Sequence, residues 1–119
     1  MRNLILAAVM TAALSVPALA DSYPVDGAWG PQQTDKGPIN CTGKNTITFA
    51  GNQRHDSTGG VRNFRNKSVT PDGPSRYRLV DEFATGQVSA RTTYTLSQID
   101  EDHIVINQSG HTRKLQRCQ

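Results

Sequence analysis

The stretch from Gly51 to Val69 holds the densest group of side chains in this sequence that could carry a charge, a proton or a ligand. It reads GNQRHDSTGGVRNFRNKSV and contains three arginines, one lysine, one histidine and one aspartate. Three kinds of chemistry use such residues: acid–base and nucleophilic catalysis, metal or phosphate binding, and pairing of a guanidinium with an anion. The spacing of the residues distinguishes between them.

The catalytic interpretation depends on His55-Asp56-Ser57, which contains the residue types of an acyl-transfer triad. Neighbouring residues on a strand point to opposite faces, so these three cannot form a triad with one another. The sequence also lacks the Gly-x-Ser-x-Gly motif that presents a serine nucleophile. We therefore predict that the protein is not an enzyme, with a small hydrolase using His55 and either Asp81 or Glu82 as the alternative.

Metal and phosphate sites are not predicted from the sequence. The acidic run from Asp100 to His103 lacks the alternating ligands and the glycine of a calcium loop, and no two histidines are spaced as a zinc pair. Gly59 and Gly60 suit a hairpin loop, because a phosphate-binding loop needs the longer Gly-x-x-x-x-Gly-Lys pattern before a helix. We expect neither a metal nor another cofactor.

The arginine-rich segment does not present one apolar face. Phe64 and Val69 are separated by an odd number of positions and fall on opposite faces of a regular strand. Either a bulge between Gly60 and Asn66 switches the alternation, or the segment is an edge strand with two solvated faces. We favour the edge strand, because arginine and lysine discourage an edge from pairing with another chain.

The functional interpretation is that Arg62 or Arg65 points into the mouth of a barrel beside Arg54 and His55. The planar guanidinium would then form paired hydrogen bonds with a small anionic ligand or with a carboxylate of a protein partner. The full set of candidate binding residues also includes an acid and an arginine from later strands: Arg54, His55, Arg62, Arg65, Asp81 and Arg91.

Asp81 belongs to this set because it has the same parity as Leu79 and Phe83, which are expected to be buried. A carboxylate inside a barrel needs a partner. We expect Arg91 or Arg62 to supply it across a neighbouring strand. The pair would act as an internal ion pair that fixes strand register, or as a polar spot in a ligand cavity.

The elements that must position these residues are strands. Apolar and polar residues alternate with a period of two through Arg76–Ala84, Gln87–Leu96 and His103–Gln108, with Ile104 facing inward. Turn signals separate these runs, a short strand is expected around Trp29, and no segment after residue 20 has helical periodicity. The predicted fold is all-β: a small antiparallel up-and-down barrel or sandwich of six to eight strands with a filled interior.

The first 20 residues have the pattern of a secretory signal peptide. Arg2 precedes an apolar run from Leu4 to Val16, and Ala18-Leu19-Ala20 fits a cleavage site. We therefore expect residues 21–119 to form a single β domain in the periplasm or outside the cell. The apolar run is shorter than the about 20 residues of a spanning helix, which favours a cleaved signal peptide, and we expect no membrane span after cleavage.

The chain contains two cysteines, Cys41 and Cys118. An even number of cysteines in an oxidising compartment predicts one disulfide between them. The formal net charge of +3 is small, and the basic segment contains a single aromatic residue, Phe64. Nucleic acid is therefore not an expected partner, and we expect a monomer.

A Gly-x-Trp motif at Gly27-Ala28-Trp29, a meander of strands and one disulfide reaching the C-terminus resemble the small lipocalin-like barrels of secreted bacterial proteins. That group includes metalloprotease inhibitors of similar size. The resemblance implies a secreted β-barrel and adds protease inhibition to the functions to be considered.

We predict a non-enzymatic binding protein of one of two classes. A small-ligand protein would have a concave pocket with arginine or histidine at its rim, lined by Trp29, Tyr77, Phe83 and Tyr94. A protease-inhibitor-like interaction protein would instead have a filled core and an exposed, ordered segment, for which Asp21–Asn40 is the candidate.

Overall fold

The computed structural model describes residues 22–33 and 39–119. The signal segment predicted at 1–20 lies outside these residues, together with part of the Asp21–Asn40 segment. No helix long and apolar enough to cross a membrane occurs in the described part of the chain. Its regular structure consists of eight strands: β1 Gly27–Pro31, β2 Ile47–Ala50, β3 Gln53–Asp56, β4 Asn63–Pro71, β5 Arg76–Thr85, β6 Val88–Asp100, β7 His103–Gln108 and β8 His111–Arg117.

The eight strands form a closed barrel in which each strand pairs with the next one in the sequence. All of these pairs are antiparallel, and β1 also pairs with β8, which closes the sheet. Gly86 and Gly110 have φ values of 63° and 83° and provide the tight β5–β6 and β7–β8 turns. The prediction of an all-β up-and-down barrel is confirmed, and closure distinguishes it from the sandwich.

The barrel interior is filled by side chains from alternate residues of the strands. Trp29, Phe49 and Tyr94 are the largest of them and are almost completely buried. The predicted inward orientation of Ile104 is confirmed, since it is buried and its neighbour Val105 is only half-buried. We call the buried apolar side chains the apolar core: Tyr23, Val25, Trp29, Ile47, Phe49, Leu79, Tyr94, Leu96, Ile104, Ile106 and Leu115.

One disulfide reinforces the seam between the first and last strands. Cys41 and Cys118 are bonded, as the sequence predicts, and their Cα atoms are 5.5 Å apart. The Cys41 sulfur packs against β1 at Gly30, where an added Cβ atom would lie only 2.7 Å from it. Glycine is therefore needed at this position for the disulfide to pack this closely against β1. Ile39 forms a parallel bridge with Cys118 beside it.

The described part of the N-terminal arm packs against the barrel. Tyr23 and Val25 belong to the apolar core, and the Tyr23 backbone N–H donates to the Gly51 carbonyl at 3.0 Å. The expectation that Asp21–Asn40 is an exposed segment is therefore wrong around these two residues, because their side chains fill the interior next to the β2–β3 turn.

The arginine-rich strand β4 is not an edge strand. It pairs with β3 on one side and with β5 on the other, so the edge-strand prediction is wrong, because a closed barrel leaves β4 no free edge. The alternative, a β-bulge, is present between Asn66 and Ser68, just after the predicted interval. The extra residue, Lys67, allows both Phe64 and Val69 to face the interior.

Candidate functional site

Charged and polar side chains interrupt the apolar interior on the β3, β4 and β5 side of the barrel. Alternation along β3 directs Arg54 and Asp56 inward and His55 outward, and their burial follows this pattern. Asn66 of β4 and Asp81 of β5 are also buried. We call Arg54, Asp56, Asn66 and Asp81 the buried charge cluster.

Arg54 lies at the centre of the buried charge cluster. Its Nε and Nη2 atoms donate to the two carboxylate oxygens of Asp56, both at 2.7 Å, and its Nη1 lies 3.7 Å from Oδ2 of Asp81. The guanidinium carbon lies 4.5 and 5.1 Å from the ring centroids of Phe64 and Tyr94. Burial alone would lower the pKa of Arg54, but the hydrogen bonds to Asp56 and the nearby negative charge outweigh it and raise the pKa.

Asp81 is completely buried and is held by three neighbours. The Tyr94 hydroxyl donates to its Oδ2 at 2.6 Å, Asn66 Nδ2 donates to its Oδ1 at 3.2 Å, and Arg54 supplies the positive charge. Burial raises the pKa of Asp81 in spite of these contacts. Burial and the Asp81 carboxylate also raise the pKa of Tyr94, which therefore remains a hydrogen-bond donor.

The predicted partners of Asp81 are therefore wrong. Arg91 is exposed on the outer face of β6 and forms an ion pair with Glu82 at 3.8 Å. Arg62 is exposed and donates from Nε to a carbonyl of its own loop at 3.4 Å. Strand geometry explains the difference. The side chain of Arg91 points outward from β6 and Arg62 precedes β4, whereas the side chain of Arg54 points inward from β3.

A surface cleft of about 510 Å³ lies where the β5–β6 hairpin extends beyond β4. Pairing of β4 with β5 begins at Arg65, whereas pairing of β5 with β6 continues to Thr85. The rings of Phe64 and Phe83 meet edge to face in this region, with centroids 5.5 Å apart. We call it the β4–β5 cleft, and its lining residues are Thr48, Ala50, Gln53, Arg54, His55, Asn63, Phe64, Arg65, Glu82, Phe83, Ala84 and Ser89.

The charged side chains of the β4–β5 cleft differ in whether they already have hydrogen-bond or ion-pair partners in the protein. Glu82 interacts with Lys67 at 3.9 Å and with Arg91 at 3.8 Å. His55 Nδ1 lies 2.9 Å from a side-chain amide oxygen of β4. Arg65 is exposed, and its side chain forms no hydrogen bond or ion pair with any residue that the structure describes. Arg65 is therefore the cation of the cleft that remains available to a ligand.

The structure brings together three of the six predicted binding residues. Arg54, His55 and Arg65 line the β4–β5 cleft, and Arg54 reaches it from the interior. The other three predicted residues do not line it: Arg62, Asp81 and Arg91.

The aromatic lining of the cleft also differs from the prediction. Phe83 lines the cleft as predicted, whereas Trp29 and Tyr94 are buried in the apolar core and Tyr77 packs against that core. Phe64 takes their place. The sequence did not indicate Phe64, because strict two-residue alternation from Val69 places Phe64 on the outer face. The bulge between Asn66 and Ser68 reverses this alternation and turns Phe64 inward.

The acidic segment between β6 and β7 is a hydrogen-bonded hairpin turn. Asp100 Oδ1 accepts a hydrogen bond from the Asp102 backbone N–H and lies 2.8 Å from His103 Nδ1. The contact with His103 lowers the pKa of Asp100. Within residues 22–33 and 39–119, no group of three histidine, cysteine, aspartate or glutamate side chains is arranged to hold a metal ion.

These features define a small closed antiparallel barrel with a surface cleft of mixed apolar and cationic lining. The eight-stranded barrel is compatible with the resemblance to lipocalin-like proteins at the level of architecture. Comparison of the chain with protein-family models, curated proteins and solved structures found no match. Its function must therefore be inferred from the residues themselves.

Proposed function

We propose that this protein is a non-enzymatic binding protein that holds a small amphipathic anion in the β4–β5 cleft. The observation that carries the proposal is the position of Arg65, a guanidinium without a partner among the described residues, beside the edge-to-face pair of Phe64 and Phe83. An apolar wall with a few charged groups is the usual composition of a small-molecule site. A carboxylate attached to an aliphatic or aromatic group fits both parts.

The expected binding mode divides the ligand between two parts of the cleft. Its apolar part packs on the inward-facing Phe64 and Phe83, while its carboxylate reaches the outer face of the sheet, where it accepts paired hydrogen bonds from Arg65 and a further one from His55. Arg54 is already held by its own carboxylate partner. It therefore offers no free donor pair to a ligand, and its positive charge is balanced by Asp56 and Asp81.

The hydrolase alternative has less support. His55 faces outward on β3, whereas Asp81 is completely buried, so these two residues cannot act as a catalytic pair. Glu82 lines the same cleft as His55, but its carboxylate already interacts with two outward-facing cations. A hydrolase would also need a nucleophile within hydrogen-bond reach of the base.

The proposal includes a location in the periplasm or outside the cell. The Cys41–Cys118 disulfide supports it, because such bonds persist in oxidising compartments. The signal-peptide pattern at 1–20 is consistent with the same location. We also propose a monomer, since a closed barrel offers no free strand edge to a second copy.

Isothermal titration calorimetry of the oxidised protein with octanoate tests the proposal. The uncharged octanamide is the ligand control. Arg78→Gln is the matched protein control, because Arg78 is an exposed arginine of β5 outside the cleft. We expect saturable octanoate binding that weakens about tenfold or more in Arg65→Gln, the loss expected for a hydrogen-bonded charge pair, and is unchanged in Arg78→Gln.

Two results would contradict the proposal. One is equal octanoate binding by the wild type and both variants, because Arg65 would then have no part in recognition. The other is equal affinity for octanoate and octanamide, because the ligand would then be selected by its apolar part alone.

A further inference from the structure

A second cavity, of about 450 Å³, lies between β8 and the start of β2. β1 leaves β2 after Trp29 and continues beside β8 to Pro31, which opens a gap next to Thr46. Arg54 lines the β4–β5 cleft and Asp56 lines this cavity, so their ion pair lies between the two. We call the second space the β2–β8 cavity.

Arg113 is the inward-facing cation of the β2–β8 cavity. It has the same parity as buried Leu115, and its side chain is half-buried. It forms no hydrogen bond or ion pair with any residue in the described part of the chain. A guanidinium carries five N–H donors, and leaving them without acceptors in a partly desolvated place is unfavourable. Burial lowers the pKa of Arg113 for the same reason.

Thr46 contributes a second unused donor to the same cavity. Its Oγ1 is buried and has no hydrogen-bond partner among residues 22–33 and 39–119. Its backbone is held in place, because its N–H donates to Ser57 Oγ and its carbonyl accepts from Ser57 N, both at 2.9 Å. The hydroxyl is therefore fixed at the wall of the cavity with its hydrogen-bonding capacity unused.

The cavity carries positive charge in spite of one carboxylate in its wall. Asp56 lines it, but both of its oxygens accept hydrogen bonds from Arg54. Lys114 adds a second cation to the lining beside Arg113. Among the described lining residues, no other carboxylate is present to neutralise these two cations.

We propose that the β2–β8 cavity is a binding site for a phosphate-type, tetrahedral oxyanion. Arg113 supplies a planar pair of N–H donors and Thr46 a neutral O–H donor, while the exposed Lys114 adds positive charge at the outer margin of the cavity. Donors from two separate segments suit an anion whose oxygens point in several directions. Free phosphate and the phosphate monoester of a larger molecule share this chemistry, and the two probes named below distinguish them.

Calorimetric titration of the oxidised protein with inorganic phosphate and, separately, with glycerol 3-phosphate tests the proposal. In phosphate-free buffer we expect binding that weakens about tenfold or more in Arg113→Gln and several-fold in Thr46→Val. Arg78→Gln and Arg65→Gln should bind like the wild type, because neither residue lines this cavity. The Arg65→Gln arm keeps this result independent of the octanoate result.

The affinities for the two probes identify the source of the phosphate group. Tighter binding of glycerol 3-phosphate indicates a monoester, and tighter binding of inorganic phosphate indicates the free ion. Equal affinity of the wild type and Arg113→Gln for both probes overturns the proposal. So does the absence of saturable binding by the wild type below about 10 mM.

Thermal unfolding separates this binding role from a structural one. Arg113 forms no hydrogen bond or ion pair with the described residues, and its attraction to Asp56 is opposed by repulsion from Arg54, so we expect Arg113→Gln to unfold in phosphate-free buffer at the same temperature as the wild type or at a higher one. Added phosphate should raise the unfolding temperature of the wild type but not that of the variant. A clearly lower unfolding temperature of the variant without phosphate contradicts the proposal, since Arg113 would then stabilise the fold directly.

Discussion

The apolar core and the buried charge cluster fill different sides of the same barrel interior. The core comes mainly from β1, β2, β6, β7 and β8, and each of its side chains gains roughly 1.5–3 kcal/mol from burial wherever it packs. The cluster comes from β3, β4 and β5. Its side chains are stable in the interior only when specific donor and acceptor atoms form hydrogen bonds, as those of Arg54 and Asp56 do. Buried ion pairs of this kind contribute little net stability, although breaking one is costly.

This contrast shows where the barrel can carry function. The apolar core closes the sheet and fixes its shape. The buried charge cluster adds little to stability but holds Arg54 against the β4–β5 cleft and Asp56 against the β2–β8 cavity. Both candidate sites therefore border the polar side of the interior, where the strands are organised by hydrogen bonds between named side chains.

The largest expected effect comes from the apolar core. Trp29→Ala removes the largest completely buried side chain and leaves a cavity, so we expect it to lower the free energy of unfolding by about 5 kcal/mol. Urea denaturation followed by circular dichroism measures the loss. Val88→Ala is the control, because Val88 is 64% exposed and should change stability little. Similar losses in both variants would contradict the assignment of the core.

The next effect comes from the centre of the buried charge cluster. Arg54→Met leaves Asp56 and Asp81 without their cation, and we expect a loss of about 3–4 kcal/mol in the same denaturation experiment. Adding Asp56→Leu to this variant should restore part of the stability, because one unpaired carboxylate is then removed. If Arg54→Met has wild-type stability, the two carboxylates do not depend on Arg54.

A smaller effect is expected where the two regions meet. The ring of Tyr94 belongs to the apolar core, while its hydroxyl donates to Asp81. Tyr94→Phe keeps the ring and removes only the donor, so we expect a loss of about 1–2 kcal/mol. The loss should disappear when the substitution is made in an Asp81→Leu background. A loss that is the same in both backgrounds would assign the role of Tyr94 to packing alone.

The smallest effect is a change in pH dependence. Burial raises the folded-state pKa of Asp81 above its ordinary value of 3.8, so the folded protein binds this proton more tightly than the unfolded chain does. Wild-type stability therefore has a component that is present below the ordinary pKa and is lost as the pH rises through the folded-state pKa. Asp81→Asn lacks this component. As the pH rises through this range, we therefore expect the free energy of unfolding of Asp81→Asn to increase relative to that of the wild type. Urea denaturation at several pH values measures both, and a difference that does not change with pH would contradict the prediction.

Much of the fold follows from the sequence because it depends on local patterns. Strict alternation around Tyr94 and Ile104 predicts half-buried strands, and short glycine turns predict antiparallel neighbours, which together lead to a barrel or a sandwich. Two cysteines together with a signal-peptide pattern predict a single disulfide. Each of these inferences needs only residue types and their spacing along the chain.

The site was predicted less completely, because it depends on register between strands. Asp81 pairs with Arg54, which is far away in the sequence, and the sequence alone does not show that β3 and β5 flank the bulged strand β4. The bulge at Lys67 also shifts the parity on which the prediction for Phe64 depended. The cleft itself arises from a difference in length between β4 and the β5–β6 hairpin, which becomes visible only when the strands are aligned.

The most direct test of the central claim is a backbone-amide nuclear magnetic resonance titration of the oxidised protein with octanoate. We expect saturable shifts at the residues that line the β4–β5 cleft, in the stretches Gln53–His55, Asn63–Arg65 and Glu82–Ala84, with the strand around Ile104 unchanged. The account is contradicted if octanoate causes no saturable shift, or if the shifts are confined to β6, β7 and β8.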